Sequence, residues 1–208
     1  MNAPFLQVDV FTETPFEGNQ LAVFHDAAEI PERMMPVLAR EMNFPESTFL
    51  VTGAREEADA RMRIFTPEQE LPMAGHPTIG TTFALASLGR IRAPQPRVVF
   101  DCKVGLIPVE LTWAADGALD FAWMEQPLPE FGTPLDEGLR PDLAAALGVD
   151  ARDLRPLPAQ TVSSGVPFFF VPLAGEDAVD RASADRAPLA SLFARARHDE
   201  TRPVFVFA

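Results

Sequence analysis

Two places in this sequence combine residue types that could move a proton. Glu46 lies in Asn43-Phe44-Pro45-Glu46-Ser47-Thr48-Phe49-Leu50, between the end of a predicted helix and the start of a predicted strand. Burial among such neighbours raises a carboxylate's pKa toward neutrality, where one group can both accept and return a proton. A glutamate at a helix end is also an ordinary surface residue, and composition alone favours that role. The second place is the turn Gly75-His76-Pro77-Thr78. Gly75 permits close approach of the backbone to a ligand, free amides at a helix start can hold an anion, and His76 can donate a hydrogen bond or carry a proton. A histidine satisfied within its own turn would account for the same residues.

Other chemistry is weaker. Gly75-x4-Gly80-Thr81-Thr82 has the glycine spacing of a phosphate loop, but Thr81 stands where the lysine must be, and the helix begins inside the supposed loop. Cys102, the single cysteine, lies on a predicted strand and reads as a buried, inert thiol. His25 and His198 sit in polar, turn-like sequence and read as solvated. The histidines are not spaced as metal ligands, so no metal is expected. No G-x-S-x-G elbow is present. Thr161-Val162-Ser163-Ser164-Gly165-Val166-Pro167 could line a cleft, but a tight bend with local serine hydrogen bonds is the plainer reading. Phe168-Phe169-Phe170 predicts a strand buried on both faces.

The elements that must position these residues follow from periodicity. Strands are expected at 5–11, 21–24, 47–52 and 60–65, with turn residues over 14–19 and a loop over 66–73. Pro31 to Met42 predicts a helix, with Met34, Met35, Leu38 and Ala39 at helical spacing and Asn43 as its stop. A second helix runs from Gly75 to about Leu88 and closes at Gly89. It is small and apolar on nearly every face, so it should be buried on all sides. A sheet curled around it would satisfy that demand. Residues 98–102 and 106–112 predict a hairpin, and 119–124 a further strand. Residues 126–140 carry three prolines and two glycines and read as a linker. Beyond it come a helix at 141–147, a strand-like stretch at 160–172, a helix at 186–196 and a strand at 204–208.

The expected class is α+β, with two similar halves over residues 1–125 and 126–208. The second half is expected to be truncated, because the sequence stops inside a strand with nothing following to pair with it. The chain has 208 residues, 17 basic against 30 acidic, and a formal net charge of -13. That field repels phosphate backbones, so no nucleic-acid partner is expected. The start shows no basic, apolar leader, and no apolar run reaches the ~20 residues of a membrane helix. With a single cysteine, a cytoplasmic setting and no membrane partner are the expectation.

Taken together, several segments resemble the phenazine-biosynthesis PhzF-like family. They are Gln7-Val8-Asp9-Val10-Phe11 with Gly18-Asn19, then Asn43 to Phe49, then Arg63-Ile64-Phe65-Thr66-Pro67 through Leu71-Pro72-Met73-Ala74-Gly75-His76-Pro77-Thr78-Ile79-Gly80-Thr81. Softer matches are Lys103 to Val109 and Ser164 to Phe168. The resemblance implies a diaminopimelate-epimerase-like fold, each half a central helix wrapped by a sheet, with substrate held between the halves. It implies that Glu46 moves a proton between carbons of a dihydro-hydroxyanthranilate-like carboxylic acid, without cofactor or metal. Gly75, His76 and Pro77 would help hold that substrate, and the protein would be a homodimer. Related racemases use two thiols, but here His76 stands where that turn would place one. Three departures from the family pattern are visible: Pro45 replaces a serine before the glutamate, Gln20 replaces a proline after Asn19, and residues 116–208 lack an Asp-Pro-Ala-Thr-Gly-Ser-like segment. These leave a non-catalytic small-molecule binder or a degenerate member of the fold as the alternative.

Overall fold

The computed structural model describes residues 3–196 and 203–208; His198, expected to be solvated, lies outside them. The chain divides into two compact units, residues 1–126 and 127–208. The first holds strands β1 (Leu6–Val10), β2 (Asn19–Phe24), β3 (Glu46–Val51), β4 (Ala60–Phe65), β5 (Glu70–Leu71), β6 (Arg97–Cys102), β7 (Gly105–Trp113) and β8 (Leu119–Met124). They form one sheet ordered β1-β2-β3-β4-β6-β7-β8, with β5 on β4. Two neighbouring pairs, β2–β3 and β4–β6, are parallel. Parallel neighbours need a long crossover, and each crossover here carries a helix: α1 (Met35–Met42) and α2 (Gly75–Ser87).

The two helices lie on opposite faces of the sheet. Leu21 and Val23 join Val10 and Ala84 of α2 in one cluster. Ala22, Phe24 and Phe49 join Met35 and Ala39 of α1 in another. Helix α2 packs against β1, β2, β3 and β8. Strands from both ends of the order therefore meet one helix, so the sheet is curled around it.

That enclosure explains the small residues of α2. A Cβ on Gly80 would sit 2.6 Å from Val10 Cγ2 and 2.7 Å from Leu21 Cδ2. Thr81 hydrogen-bonds Thr48 of β3, Oγ1 to Oγ1, at 2.9 Å, with both residues fully buried. The enclosure is not complete, contrary to expectation. Phe83 is 37% exposed, and Ser87, one turn on, is exposed too.

Other differences have local causes. The helix expected from Pro31 opens as a 3-10 turn over Glu32–Met34, and the α-helix begins at Met35. Pro36 has no N–H, so it is accommodated only in a first turn. Asn43 ends the helix in the left-handed conformation, φ 53°. The expected loop at 66–73 contains β5, held to β4 by its ladder and by Glu70, which accepts from Arg63 Nε at 2.7 Å and Nη2 at 3.1 Å.

The second unit is a four-stranded sheet ordered β12-β11-β10-β9, from β9 (Glu130–Pro134), β10 (Gln160–Ser163), β11 (Pro167–Pro172) and β12 (Val204–Phe207). Helices α3 (Arg140–Ala146), α4 (Glu176–Arg181) and α5 (Arg186–Arg195) complete it. Phe169 and Val171 pack with Leu143, Leu147, Leu192 and Phe193. The stretch expected to be a linker thus contains a strand, because an edge position tolerates the prolines that a central strand would not. The stretch at 160–172 is two antiparallel strands joined by the expected bend, where Ser163 Oγ accepts from the Gly165 N–H at 3.2 Å. The triple phenylalanine is buried on one face only. Phe169 is fully buried, while Phe168 and Phe170 are half-buried and Phe170 packs 5.2 Å from Phe205.

The tight seat of Gly80 can be tested directly. Gly80→Ala should destabilise residues 1–126 by about 1–3 kcal/mol, overpacking outweighing the better helix propensity of alanine. Trp113 and Trp123, the only two tryptophans, both lie in this unit, so urea unfolding followed by their fluorescence reads it. An unchanged or higher midpoint would contradict the close packing.

Candidate active site

Glu46 is the first residue of β3 and His76 the second residue of α2. The curled sheet brings these two element starts together, thirty residues apart in sequence. His76 Nε2 and Glu46 Oε2 are 3.2 Å apart, with side chains only 10% and 17% exposed. Both atoms are buried, and neither has an aligned hydrogen-bond partner. The distance lies within ion-pair range. Burial raises the Glu46 carboxyl above its ordinary value. Burial also lowers the His76 ring, against the nearby Gln20 main chain, which favours its cation. Burial thus works against the charged form of each group, so the contact is not that of a fixed salt bridge.

The register of β3 sets which side chains face the site. Leu21 of β2 pairs with Glu46, and Leu21 belongs to the face that meets α2. Strand alternation therefore sends Glu46 and Thr48 toward α2, and Ser47 and Phe49 toward α1. The Ser47 hydroxyl is fully buried on the α1 side without a partner, so it supplies nothing to Glu46.

The start of α2 is open to a ligand. Its N-cap, Ala74, contributes no side-chain hydrogen bond, which leaves the amides of the first turn uncapped by any side chain. A Cβ on Gly75 would meet nothing within 4 Å. Neither strain nor packing among the described residues demands glycine there, and open space lies beside it. Pro77 is buried and has no N–H, so it can start the helix but cannot donate to a substrate. Beneath this turn, Thr78 Oγ1 donates to the Ala74 carbonyl at 2.8 Å.

One partner of the site escaped the local reading of the sequence. Asn19, first residue of β2, places Nδ2 3.1 Å from His76 Nδ1. The two are 57 positions apart, and only the Gly18-Asn19 match pointed to this stretch. Other candidates stand elsewhere. Cys102 is buried, and burial with Asp101 beside it pushes the thiol up to about 12, so it is no nucleophile. His25, expected to be solvated, is half-buried, with Arg90 donating to its carbonyl oxygen. Among the described residues, no three His, Cys, Asp or Glu side chains cluster as a metal site. Two depressions of about 530 Å³ each lie on residues 1–126, one lined by His25, Asp59 and Arg90, the other by Arg55, Arg63 and Lys103. Neither includes Glu46 or His76, and the chemistry assigned to that pair rests on its geometry.

Residues 8–202 match the family model described as phenazine biosynthesis-like protein. The chain belongs to this family. A trans-2,3-dihydro-3-hydroxyanthranilate isomerase of Pseudomonas fluorescens is 37% identical to it over 187 residues, covering 90% of this chain and 63% of that protein. The chain therefore spans less than two thirds of that relative's length. A solved structure from Pseudomonas aeruginosa, described as a predicted epimerase, superposes with TM-score 0.79 at 32% identity, covering 98% of this chain and 69% of that one. A hydroxyproline epimerase from Agrobacterium vitis, at 17% identity and TM-score 0.55 over 80% of this chain and 50% of its own, shares the fold. The α+β, epimerase-like architecture expected from the sequence is thus the family's own.

The raised Glu46 carboxyl makes a prediction with a definite sign. A folded value above the unfolded one means that the folded state holds the proton more tightly. The associated stability is complete below the ordinary carboxylate range and is lost as pH rises through the folded value. Glu46→Gln cannot ionise. Its stability relative to wild type should therefore rise between acid and neutral pH. Urea midpoints of both proteins across that range check this, and a gap independent of pH would show that burial does not perturb the carboxyl.

Proposed function

We propose that this phenazine biosynthesis-like protein is an isomerase that moves a proton between two carbons of a small carboxylic acid, without a cofactor. Glu46 is the general acid/base. The observation that carries this reading is the buried Glu46 carboxyl, 3.2 Å from His76 and without a hydrogen-bond partner, beside the uncapped start of α2. Support comes from the relative at 37% identity, which is named for trans-2,3-dihydro-3-hydroxyanthranilate.

The chemistry is balanced by one group. Ionised Glu46 accepts a proton from a carbon beside a double bond, and the released electron pair shifts the double bond by one position. The carboxylic acid then returns the proton to the far carbon on the same face. A raised pKa brings the carboxyl closer to the range where both steps proceed at neutral pH. The amides of Gly75 and His76 at the start of α2 suit the substrate's carboxylate. His76 would donate to a substrate oxygen, and Pro77 would shape the turn without claiming an amide. The partial burial of Glu46 and His76 would help keep the proton from leaking to water.

The same reading takes the protein to be a cytoplasmic homodimer with a small-molecule partner and no nucleic-acid partner. The dimer follows from the family resemblance, the compartment from the single Cys102, and the last point from the net charge of -13.

Proton exchange tests the proposal. Incubated with trans-2,3-dihydro-3-hydroxyanthranilate in heavy water, the protein should yield isomerised product carrying solvent deuterium. Glu46→Gln should slow the reaction by at least about 10²-fold. Turnover by Glu46→Gln at the wild-type rate would remove Glu46 from the mechanism. Thermal stabilisation by the substrate without any exchange in the wild type would make the protein a binder instead.

A further inference from the structure

We propose that Asn19 is a positioning residue that holds neutral His76 as the tautomer with its proton on Nε2. The ring then presents a donor, not an acceptor, toward Glu46. The contact that decides this is Asn19 Nδ2 to His76 Nδ1 at 3.1 Å. An amide nitrogen only donates. Accepting from that amide at Nδ1, a neutral imidazole carries its proton on Nε2; the Gln20 main chain, which favours the cation, competes as an acceptor and would hold the other tautomer if it took the Nδ1 proton.

The far side of the ring agrees. Nε2 lies 3.2 Å from Glu46 Oε2, and both atoms are buried without another partner. An Nε2–H beside a carboxylate oxygen is attractive. With the amide of Asn19 reversed, its carbonyl would take a proton from Nδ1. A bare Nε2 lone pair would then face a carboxylate lone pair, which is tolerable only with Glu46 protonated.

Asn19 is exposed, but its backbone is fixed in place. It pairs with Val10 across β1 and β2. Gly18, just before it, lies so close to β1 that a Cβ there would come within 2.8 Å of the Asp9 carbonyl carbon and the Val10 oxygen. Asp9 Oδ2 in turn accepts from the Phe16 N–H at 2.8 Å, tying down the loop that leads into Asn19.

The catalytic consequence rests on the isomerase reading, while the tautomer itself does not. With Nε2 already protonated, His76 cannot take the proton that Glu46 removes from substrate. Glu46 must carry that proton itself, and His76 serves as donor to the reacting molecule. Asn19 thus separates the base from the acid without touching substrate carbon.

The test is spectroscopic. In protein labelled with ¹⁵N-histidine, long-range ¹H–¹⁵N correlation identifies which ring nitrogen bears hydrogen, and the His76 signals are those missing from His76→Gln. Wild type, above the ring's titration, should show the proton on Nε2. Asn19→Asp, whose carboxylate can only accept, should move it to Nδ1. Asn19→Leu should give a mixture, with tryptophan fluorescence confirming the fold. A wild-type proton on Nδ1 overturns the proposal without any variant, and so does an unshifted tautomer in folded Asn19→Asp. In the exchange assay, Asn19→Asp should lower kcat by about 10²-fold or more, as a wrong tautomer does elsewhere, with KM little changed. If the tautomer is found but wild type exchanges no deuterium, the isomerase reading falls and this one stands.

Discussion

Everything at this site depends on how closely α2 approaches the sheet. The helix carries no Asp, Glu, Lys or Arg, and most of its buried positions are small, Thr78, Gly80, Thr81, Thr82 and Ala84 beside Pro77 and Leu85. Gly80 meets Val10 and Leu21 at distances that leave no room for a methyl, and Thr81 is pinned to Thr48. Dispersion falls away quickly with separation, so a helix seated this tightly has few alternative positions. Its first turn is therefore delivered to one place, beside the start of β3. The pairing of Glu46 with His76 is a by-product of packing that extends well below them.

Electrostatics follow from the same enclosure. Each of the two groups is partly removed from water, and desolvation penalises the charged form of both. Glu46 moves up and His76 moves down, so their protonation ranges approach one another. No arginine is needed to tune them. Directional contacts to the ring come from the Asn19 side chain and the Gln20 main chain. A chain with a net charge of -13 thereby keeps a carboxylate site whose behaviour is governed by burial and not by the overall field.

Much of this was readable from the residues themselves. The helix from Gly75 to about Leu88 announced most, though not all, of its burial by composition, and the hairpin over 98–112 was placed by its strand-forming residues. Glu46 and His76 were candidates from their settings, and the family resemblance singled them out. What the sequence concealed was long-range. Nothing near Asn19 hints at a ring 57 positions away, and nothing near Ser47 shows that its hydroxyl faces α1. The second unit shows the opposite failure. Prolines over 126–140 suggested a linker, yet Gln160, Val162 and Ser163 on β10 supply the pairing that draws β9 into a sheet. Local propensity was overruled by a partner strand that local sequence cannot see.

Strand alternation across β3 has a further consequence, for how this chain can vary. Glu46 and Thr48 face one helix, and Ser47 and Phe49 the other. The segment Asn43 to Pro45 is the only slack between the end of α1 and this strand. Loss of one residue there would shift the pleat by a single step, turning the carboxylate toward α1 and bringing the Ser47 hydroxyl to His76. Loss or gain of two would keep the face and move the carboxylate along the strand by one pleat repeat, past the ring. The short turn before Glu46 therefore tolerates substitution far better than any change in length, and its spacing works as a reading frame for the site.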